Sequence, residues 1–297
     1  MSPLALYFAS GDSLYAGAGL LLLAVVVSRY LKQSWLLRLR NLAEWLGLAL
    51  TIMACPPFSW TVDAIFLAAF VLWLTVSNYR LGGRASDWRL VPTAILLIVL
   101  LTLTAMEFSR RAMPAIIGSP ADHLVVIGDS ISSGIDPRVP TWPIVMQQLT
   151  GVPVKNLSRP GAQAIEGLDM ARKVTADDQV VLIEIGGNDL LGGVPSIAFE
   201  KSLDAILSKL ATPGRTIVMF ELPLLPHKIA YGQIQRRLAA KYGVWLIPKR
   251  CFIEVIGSAG ATSDGLHLSE SGARHMATLV ATVLSPVLKS HVAGASR

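Results

Sequence analysis

The sequence predicts a two-part protein, with an all-α membrane region followed by an α/β domain built on a parallel sheet. Only 15% of its 297 residues are charged and the mean hydropathy is +0.53, whereas soluble domains carry about 25% charged residues. From residue 123 onward, short β-rich runs alternate with helical ones, which is typical of a parallel sheet covered on both faces. We therefore predict a transmembrane region at 1–110, a linker at 111–122 and the α/β domain at 123–290.

Four apolar stretches precede residue 110, at 14–27, 42–56, 64–76 and 90–106. A membrane-spanning helix needs about 20 apolar residues, and each stretch reaches that length only with its flanks. The stretches predict about four transmembrane helices, because buried helices of a soluble core would rarely be so uncharged. Glu44 and Asp63 are expected near span ends, where water solvates them, so neither predicts a transporter or channel.

The positions of the cations predict the orientation of these spans. Seven of them lie between the first two stretches or between the last two: Arg29, Lys32, Arg38, Arg40, Arg80, Arg84 and Arg89. Because positive segments stay in the cytoplasm, the α/β domain is expected on the periplasmic or extracellular side of a membrane such as the bacterial inner membrane. Arg110 and Arg111 argue the other way but are outnumbered. No Lys or Arg precedes the first stretch, so it is interpreted as a retained span and not as a cleaved signal peptide.

Charge and cysteine content exclude several classes of protein. The net charge of +6 is spread along the chain and forms no basic stripe, so nucleic acid is not an expected partner. Cys55 and Cys251 stand far apart, in neither CxxC nor Cys/His spacing, which indicates no disulfide framework and no zinc site. A single bridge between these two cysteines stays open. Neither a metal nor another cofactor is predicted.

Five strands and five intervening or following helices are predicted in the α/β domain. The strands are 124–127, 152–157, 180–185, 216–220 and 244–247, and the helices are 143–149, 165–173, 197–210, 232–241 and 271–284. In open parallel sheets, ligands bind outside the carboxyl ends of the strands. The residues that directly follow each strand are therefore the first candidates for a functional site.

Residues suited to acyl transfer follow three of these strands and occupy one late loop. Ser130 follows the first strand, where the next helix N-terminus would supply free N–H groups and positive potential. Gly161 follows the second strand and offers a backbone N–H open to close approach, and Asn188 follows the third and offers an amide. Asp264 and His267 form a carboxylate–imidazole pair near the end of the chain. A nucleophile, two hydrogen-bond donors and a base with its orienting acid are thus all present.

Several of these residues also have simpler interpretations. A Gly-Asp-Ser tripeptide is common by chance, and a second copy ending at Ser13 opens a membrane stretch, so it is interpreted as coincidental. Ser130 alone would equally suit a helix N-cap. Asp129 and Gly187 are predicted to support the site structurally. Glu184, inside an apolar strand, is expected to be hydrogen-bonded and structural because an unpaired buried charge is costly.

With these residues in this order, residues 123–287 resemble the SGNH (GDSL) hydrolase family, and within it the bacterial lysophospholipase-like, acyl-ester and thioester hydrolases. The resemblance implies a flavodoxin-like three-layer domain with a five-stranded parallel sheet. It implies that Ser130 is the nucleophile, His267 the base and Asp264 its orienting acid. It further implies an oxyanion hole formed by the N–H groups of Ser130 and Gly161 and the amide of Asn188. The competing α/β-hydrolase turn, G-x-S-x-G, would need a glycine where this chain has serine at position 132.

Together these features predict a membrane-anchored serine esterase that hydrolyses carboxylic esters through an acyl-enzyme. The expected partners are the membrane and an acyl-ester or acetyl-ester substrate, either an acyl lipid such as a lysophospholipid or an ester group on an envelope glycan. Two alternatives stay open. One is an O-acyltransferase, in which a glycan hydroxyl replaces water, and the other is a membrane interaction protein whose hydrolase-like domain is inactive.

Overall fold

The computed structural model describes residues 3–28, 34–54, 56–78, 90–225 and 228–289. The backbone contacts divide the chain into two compact units. We call them the α/β unit, which comprises 1–6, 112–224 and 230–297, and the helical unit, which comprises 7–111 and 225–229. Each is described by itself.

Five parallel strands form the sheet of the α/β unit in the order β2-β1-β3-β4-β5. The strands are β1 (Leu124–Gly128), β2 (Val154–Asn156), β3 (Val180–Glu184), β4 (Thr216–Phe220) and β5 (Trp245–Ile247). This is the flavodoxin-like strand order, so the predicted fold class is confirmed. The next strand, β2, pairs with one edge of β1, and the strand after it, β3, pairs with the opposite edge. A crevice therefore opens at the carboxyl ends of β1 and β3, where such sheets bind ligands.

Helices cover both faces of this sheet because successive side chains of a strand point in opposite directions. The helices are α6 (Ser130–Ser133), α7 (Trp142–Thr150), α8 (Ala164–Ala171), α9 (Gly187–Leu191), α10 (Ser196–Leu210), α11 (Ile229–Tyr242), α12 (Lys249–Gly257) and α13 (Glu270–Leu284). Leu124, Val126 and Leu182 share a buried core with α7, α12 and α13. Helices α8 and α10 pack on each other. Cys251 of α12 is buried, and its Sγ lies 3.2 Å from Met113 Sδ; Cys55 lies outside the described residues.

The segment predicted as a linker, 111–122, packs on the α/β unit over most of its length. Ile116 is buried in the same core as α7 and α13. The Ala121 N–H donates to the carbonyl oxygen of Val287 at 2.9 Å, and Ala121 pairs with Leu288 in a parallel bridge. These contacts attach the segment to the end of the chain without giving it regular secondary structure.

Within its described residues, the helical unit contains two helices that are long and apolar enough to cross a membrane, over Trp60–Ser77 and Leu90–Ser109. Its helices are α1 (Pro3–Ala9), α2 (Ser13–Ser28), α3 (Ser34–Met53), α4 (Trp60–Asn78) and α5 (Leu90–Ser109). Only residues 7–9 of α1 belong to the helical unit. Helices α1 and α2 meet at an 80° bend and become a third candidate span if the pair crosses as one. The structure therefore supports two or three of the roughly four expected spans.

Helix α3, which contains the second apolar stretch, is the span that is not supported. It carries Arg38, Arg40 and Glu44 within one helix. Arg40 Nε lies 3.0 Å from Glu44 Oε1, and both side chains are buried. Glu44, expected near water at a span end, is therefore paired in mid-helix, as a buried charge requires. Of the cations that predict the orientation, those between 29 and 32 and between 80 and 89 lie outside the described residues.

Candidate active site

Ser130 sits on a tight turn between β1 and α6, at the carboxyl edge of the sheet. Asp129 is the N-cap of α6, and its Oδ1 accepts the Ile131 N–H at 3.0 Å. A Cβ on Gly128 would lie 2.8 Å from Ser132 Oγ and 3.0 Å from Glu184 Oε2, so this position has room only for glycine. The turn leaves Ser130 itself 8% exposed.

Ser130, His267 and Asp264 form one hydrogen-bonded chain. His267 Nε2 lies 3.1 Å from Ser130 Oγ, and His267 Nδ1 lies 2.7 Å from Asp264 Oδ2. Both distances fall in the normal hydrogen-bond range. The structure thus brings together three side chains that the sequence separates by as many as 137 positions. In this arrangement the imidazole can take a proton from the hydroxyl while the carboxylate holds the ring.

The loop that carries Asp264 and His267 closes on itself. Thr262 and Leu268 pair in an antiparallel bridge, and the Ser263 N–H donates to the His267 carbonyl oxygen at 2.9 Å. Inside the loop, Asp264 Oδ1 accepts the N–H groups of Leu266 at 3.0 Å and of His267 at 2.8 Å. The position of the carboxylate relative to the imidazole is therefore set by contacts within this loop.

Hydrogen bonds keep Asp264 ionised, and its side chain, which is 49% exposed, is also solvated by water. Its pKa is held well below the ordinary value, first by the hydrogen bond to the His267 ring and then by the two backbone N–H groups. A carboxylate that accepts several hydrogen bonds resists protonation. It therefore carries a negative charge at neutral pH and can stabilise a protonated His267.

Gly161 lies in the loop after β2, beside the turn that carries Ser130. Arg159 N–H donates to the Gly128 carbonyl oxygen at 3.2 Å, which attaches this loop to the end of β1. Gly161 has φ +72°, a left-handed conformation that glycine adopts without strain. Within the part of the chain that the structure describes, neither the Ser130 N–H nor the Gly161 N–H donates to a protein acceptor. Both are thus available to a ligand.

Asn188 bridges the turn that carries Ser130 and the loop that carries Gly161. It belongs to α9, whose N-cap, Gly186, has φ +110° and would bring a Cβ within 2.8 Å of the Phe199 ring. Asn188 Nδ2 donates to Asp129 Oδ2 at 3.1 Å and to the Ala162 carbonyl oxygen at 3.0 Å. Both amide protons are engaged, so an oxyanion would have to share one of them. A Cβ on Gly187 would lie 3.4 Å from Asp129 Oδ2, so Gly187 lies against the carboxylate that holds Asn188.

A buried polar chain behind Ser130 includes Ser132 and Trp142, for which the sequence predicted no role in the site. Ser132 Oγ donates to Glu184 Oε2 at 2.8 Å and accepts the Trp142 Nε1–H at 3.1 Å. Glu184 is buried at the end of β3 and is hydrogen-bonded, as expected for a carboxyl group in an apolar strand. The sequence signal for this network was Glu184 itself, because a carboxyl group in an apolar strand needs a hydrogen-bond partner. Which serine and which tryptophan supply it depends on the pairing of Gly128 with Glu184 across β1 and β3.

Burial raises the pKa of Asp129 from 3.8 to about 6, which predicts a pH-dependent cost to folding. Between about pH 4 and pH 6 the folded state binds more protons than the unfolded state, so this group's contribution to stability falls as pH rises. We therefore expect Asp129→Asn to raise the melting temperature at pH 8 and to leave it nearly unchanged at pH 4, while activity falls because Asn188 loses its acceptor.

Thermal unfolding of the full chain at the two pH values checks this expectation. Asp177→Asn is the matched control, since Asp177 is exposed and its replacement should leave the melting temperature unchanged at both. Equal shifts at pH 4 and pH 8 for the Asp129 variant would contradict the expected pH dependence.

A cavity of about 220 Å³ opens beside Ser130 and His267. Its apolar walls include Ile135, Val139, Pro140, Trp142, Leu268 and Ala273. Neither Gly161 nor Asn188 lines it. The cavity therefore lies next to the Ser130 hydroxyl and away from Gly161 and Asn188, and it suits an apolar part of a substrate.

Comparison with known proteins agrees with this geometry. The GDSL-like Lipase/Acylhydrolase family matches residues 126–275, half of the chain. Esterase TesA of Pseudomonas aeruginosa is 26% identical over 183 residues, 57% of this chain and 90% of that protein. An arylesterase of Vibrio mimicus is 30% identical over 184 residues, 55% of this chain and 88% of that protein. The thioesterase 1/protease 1/lysophospholipase L1 of Escherichia coli K12 is 27% identical over 178 residues, 57% of this chain and 86% of that protein.

Among solved structures, a crystal structure of TesA matches with a TM-score of 0.50 and 26% identity. The match covers 56% of this chain and 99% of that one. The likeness therefore takes in nearly the whole of the compared structure and little more than half of the present chain.

Proposed function

Because the chain belongs to the GDSL-like lipase/acylhydrolase family, and is thus a serine hydrolase that acts on ester bonds, we propose that it is a membrane-anchored esterase of acyl lipids. The observation that carries the catalytic part is the hydrogen-bonded chain from Ser130 through His267 to Asp264. The anchoring and the lipid substrate are argued below from the apolar helices and the cavity.

In the proposed acylation step, Ser130 Oγ bonds to the ester carbonyl carbon while His267 Nε2 accepts its proton. Asp264 stabilises the imidazolium that forms, since it is ionised and bonded to Nδ1. The negative carbonyl oxygen is stabilised by the N–H groups of Ser130 and Gly161 and by the Asn188 amide. Removal of one such donor typically costs about 3–4 kcal/mol of transition-state stabilisation.

Acylation ends when the imidazolium gives its proton to the leaving alcohol oxygen, which frees the alcohol and leaves an acyl-enzyme. In the second step, the acyl group moves from Ser130 to water. His267, again neutral, then accepts a proton from a water molecule that attacks the acyl carbonyl. The bond between the acyl carbon and Ser130 Oγ then breaks while the imidazolium returns this proton to Oγ, which releases the acid and restores the Ser130 hydroxyl. A hydroxyl of another molecule in place of this water would make the same site a transferase.

The proposed anchoring rests on the candidate spans over Trp60–Ser77 and Leu90–Ser109. The side of the membrane then depends on one span, because α5 directly precedes the α/β unit in the chain. Arg80, Arg84 and Arg89 stand just before α5 and favour a cytoplasmic start. Residues after α5 are therefore proposed to lie outside the cytoplasm, whether the helices before α4 contribute one span or none.

A topology experiment tests this side. Single cysteines are placed at Arg172, which is exposed in the α/β unit, and at Ala85, between α4 and α5, with Cys55 and Cys251 replaced by serine. A membrane-impermeant maleimide is expected to label the first cysteine in intact spheroplasts and the second only after permeabilisation. The reverse pattern would place the α/β unit in the cytoplasm, and labelling of both in intact spheroplasts would argue against a sealed crossing by α5.

Two observations support a lipid substrate over a glycan ester. The cavity beside Ser130 and His267 is mainly apolar, which suits an acyl chain better than a sugar. Its volume of about 220 Å³ has room for about seven methylene-sized groups, if each takes the ~30 Å³ of one liquid water molecule. One relative is also named as a lysophospholipase. We therefore expect acyl chains of medium length to be preferred over both acetyl and long chains.

The substrate test uses the full chain reconstituted in lipid vesicles, with Ser130→Ala as the matched inactive variant. Lysophospholipids of graded acyl length, an acetylated glycan and an aryl acetate are compared. We expect release of free fatty acid from lysophospholipid, with a maximum at medium length, that is absent from the variant. A preference for the acetylated glycan would overturn the lipid substrate, and transfer of acyl groups to an added glycan would indicate a transferase. No activity in a folded protein whose serine resists a fluorophosphonate would indicate an inactive interaction protein.

A further inference from the structure

Glu184 is a buried carboxyl group for which the catalytic steps above have no role. It ends β3 directly opposite Gly128, and the missing side chain of that glycine leaves the space that the carboxyl fills. The turn that carries Ser130 lies against it. A group that is costly to bury thus lies next to Ser130, at a position where an apolar residue would have a lower free energy of burial.

The hydrogen bonds on one side of Glu184 have a fixed direction. The indole N–H of Trp142 can only donate, so it occupies a lone pair of Ser132 Oγ at 3.1 Å. The single hydroxyl proton of Ser132 is then directed to Glu184 Oε2 at 2.8 Å. On this side, Glu184 is an acceptor.

On its other side, Glu184 lies beside Asp129: Gly128, its partner across β1 and β3, directly precedes Asp129 in the chain, and the charge of Asp129 acts on it. Two buried carboxyl groups that lie side by side are not both ionised at neutral pH. Asp129 already accepts the N–H groups of Ile131 and Asn188, and both bonds favour its charged form. Glu184 is the more deeply buried, and burial together with the adjacent Asp129 charge raises its pKa well above the ordinary value. The shared proton therefore belongs to Glu184.

We propose that Glu184 is a positioning residue which, as the neutral acid, donates a hydrogen bond to the Asp129 carboxylate and through it holds the Asn188 amide at the oxyanion site. Asp129 is the connecting group, because its Oδ2 receives the Asn188 amide. The other charges that act on Asp129 are Asp189 and His267. The inference rests on the proposed oxyanion role of Asn188 and does not depend on the lipid substrate or the membrane anchor.

Two substitutions separate the donor function of Glu184 from the space it fills. Glu184→Gln keeps an N–H donor toward Asp129 and an oxygen acceptor, whereas Glu184→Met keeps the length and removes both. We expect kcat to fall by no more than about threefold for the glutamine variant and by about 100-fold for the methionine variant, with KM within twofold in both. The larger value is the scale of losing one oxyanion donor. The matched control is Glu254→Gln, at an exposed glutamate, which should behave as wild type.

A double-mutant cycle with Asn188→Ala tests whether the effect passes through the amide. If Glu184 acts by placing Asn188, adding Glu184→Met to Asn188→Ala should lower kcat by no more than about threefold further, since coupled residues are not additive. A general packing defect would cost the same 100-fold in both backgrounds and would overturn the proposal. All variants are assayed on a soluble aryl acetate, so that failure of the lipid proposal leaves the result interpretable.

Infrared spectroscopy gives a readout that does not depend on activity or on the methionine variant folding. At pH 8, the difference spectrum between wild type and Glu184→Gln is expected to contain the carbonyl stretch of one protonated carboxyl group, which the Glu254→Gln difference spectrum should lack. Absence of that band, or a glutamine variant as impaired in kcat as the methionine variant, would show that Glu184 is not the neutral donor.

Discussion

Replacing Ser130 with alanine is expected to lower kcat/KM for ester hydrolysis by at least about 10⁴-fold, the range seen when a triad nucleophile is removed. No other hydroxyl in the described residues is bonded to His267 Nε2, so none can replace Ser130 as the nucleophile. Covalent labelling by a fluorophosphonate should disappear together with the activity. The measurement is steady-state hydrolysis of an aryl acetate by the purified full chain, with labelling scored on the same samples.

Ser13→Ala is the matched control, because Ser13 ends the second Gly-Asp-Ser tripeptide of the chain. Ser13 opens helix α2, whereas Ser130 follows a strand and faces an imidazole. The control should keep full activity and labelling. Residual labelling in Ser130→Ala, or a loss of activity in Ser13→Ala, would contradict the assignment of the nucleophile.

Replacing Asp264 with asparagine is expected to lower kcat by about 10³-fold while the protein stays folded. The asparagine oxygen can still accept the N–H groups of Leu266 and His267, which hold the loop. Its NH₂ group, however, would face His267 Nδ1 and donate to it, which places the ring proton on Nε2. That nitrogen then cannot accept the Ser130 proton. The wrong tautomer accounts for losses of up to about 10⁴-fold in serine hydrolases, and the partial exposure of Asp264 argues for a smaller effect.

The comparison of Asp264→Asn with Asp264→Ala distinguishes tautomer control from loop stability. We expect similar losses in kcat, but a lowered melting temperature only for the alanine variant, which loses the loop contacts as well. Asp169→Asn, at an exposed aspartate on α8, is the control and should match wild type in both measurements. An asparagine variant with more than about one tenth of wild-type kcat would indicate that Asp264 serves only to shape the loop.

The α/β fold was predictable because each strand is a short apolar run bounded by turn residues. β4 has the predicted bounds, whereas β2 is only Val154–Asn156 in place of 152–157, since a strand at the sheet edge pairs on one side only. Helix α12 was not predicted. Its buried residues, including Cys251, Phe252, Val255 and Ile256, do follow a helical spacing, and Pro248 is its N-cap. A nine-residue helix offers too few turns for that signal to stand out.

The membrane region was harder to predict from hydropathy alone. Helix α3 has the length of a span, but its apolar stretch continues from a segment with Arg40 and Glu44. In the folded helical unit these two side chains are buried and neutralise each other, so they are neither at a water-facing end nor exposed to lipid. Which charges will pair in this way depends on packing between helices, which hydropathy does not report.

In the site, the predicted residues were those whose chemistry is visible without a partner: a serine after a strand, an amide, an imidazole with a nearby carboxylate. The network of Glu184, Ser132 and Trp142 was not predicted as a unit, although Glu184 was expected to have a hydrogen-bond partner. Its members are up to 52 positions apart. They meet because the register of β1 and β3 sets Glu184 opposite Gly128 and because the start of α7 brings Trp142 to Ser132. Residues that support a site through such long-range hydrogen bonds can therefore be identified only from a structure, because no local sequence pattern marks them.

The self-closed loop at 262–268 holds Asp264 and His267 together as one preorganised pair. Among the described residues, its one hydrogen bond to Ser130 is the 3.1 Å contact of the imidazole, which is longer than the 2.7 Å bond between His267 and Asp264 inside the loop. Thermal displacement of the loop should then uncouple the serine without disturbing the tautomer of the ring. Reattachment would need one bond to re-form, so idle and competent states of this enzyme would interconvert faster than any rearrangement of the sheet.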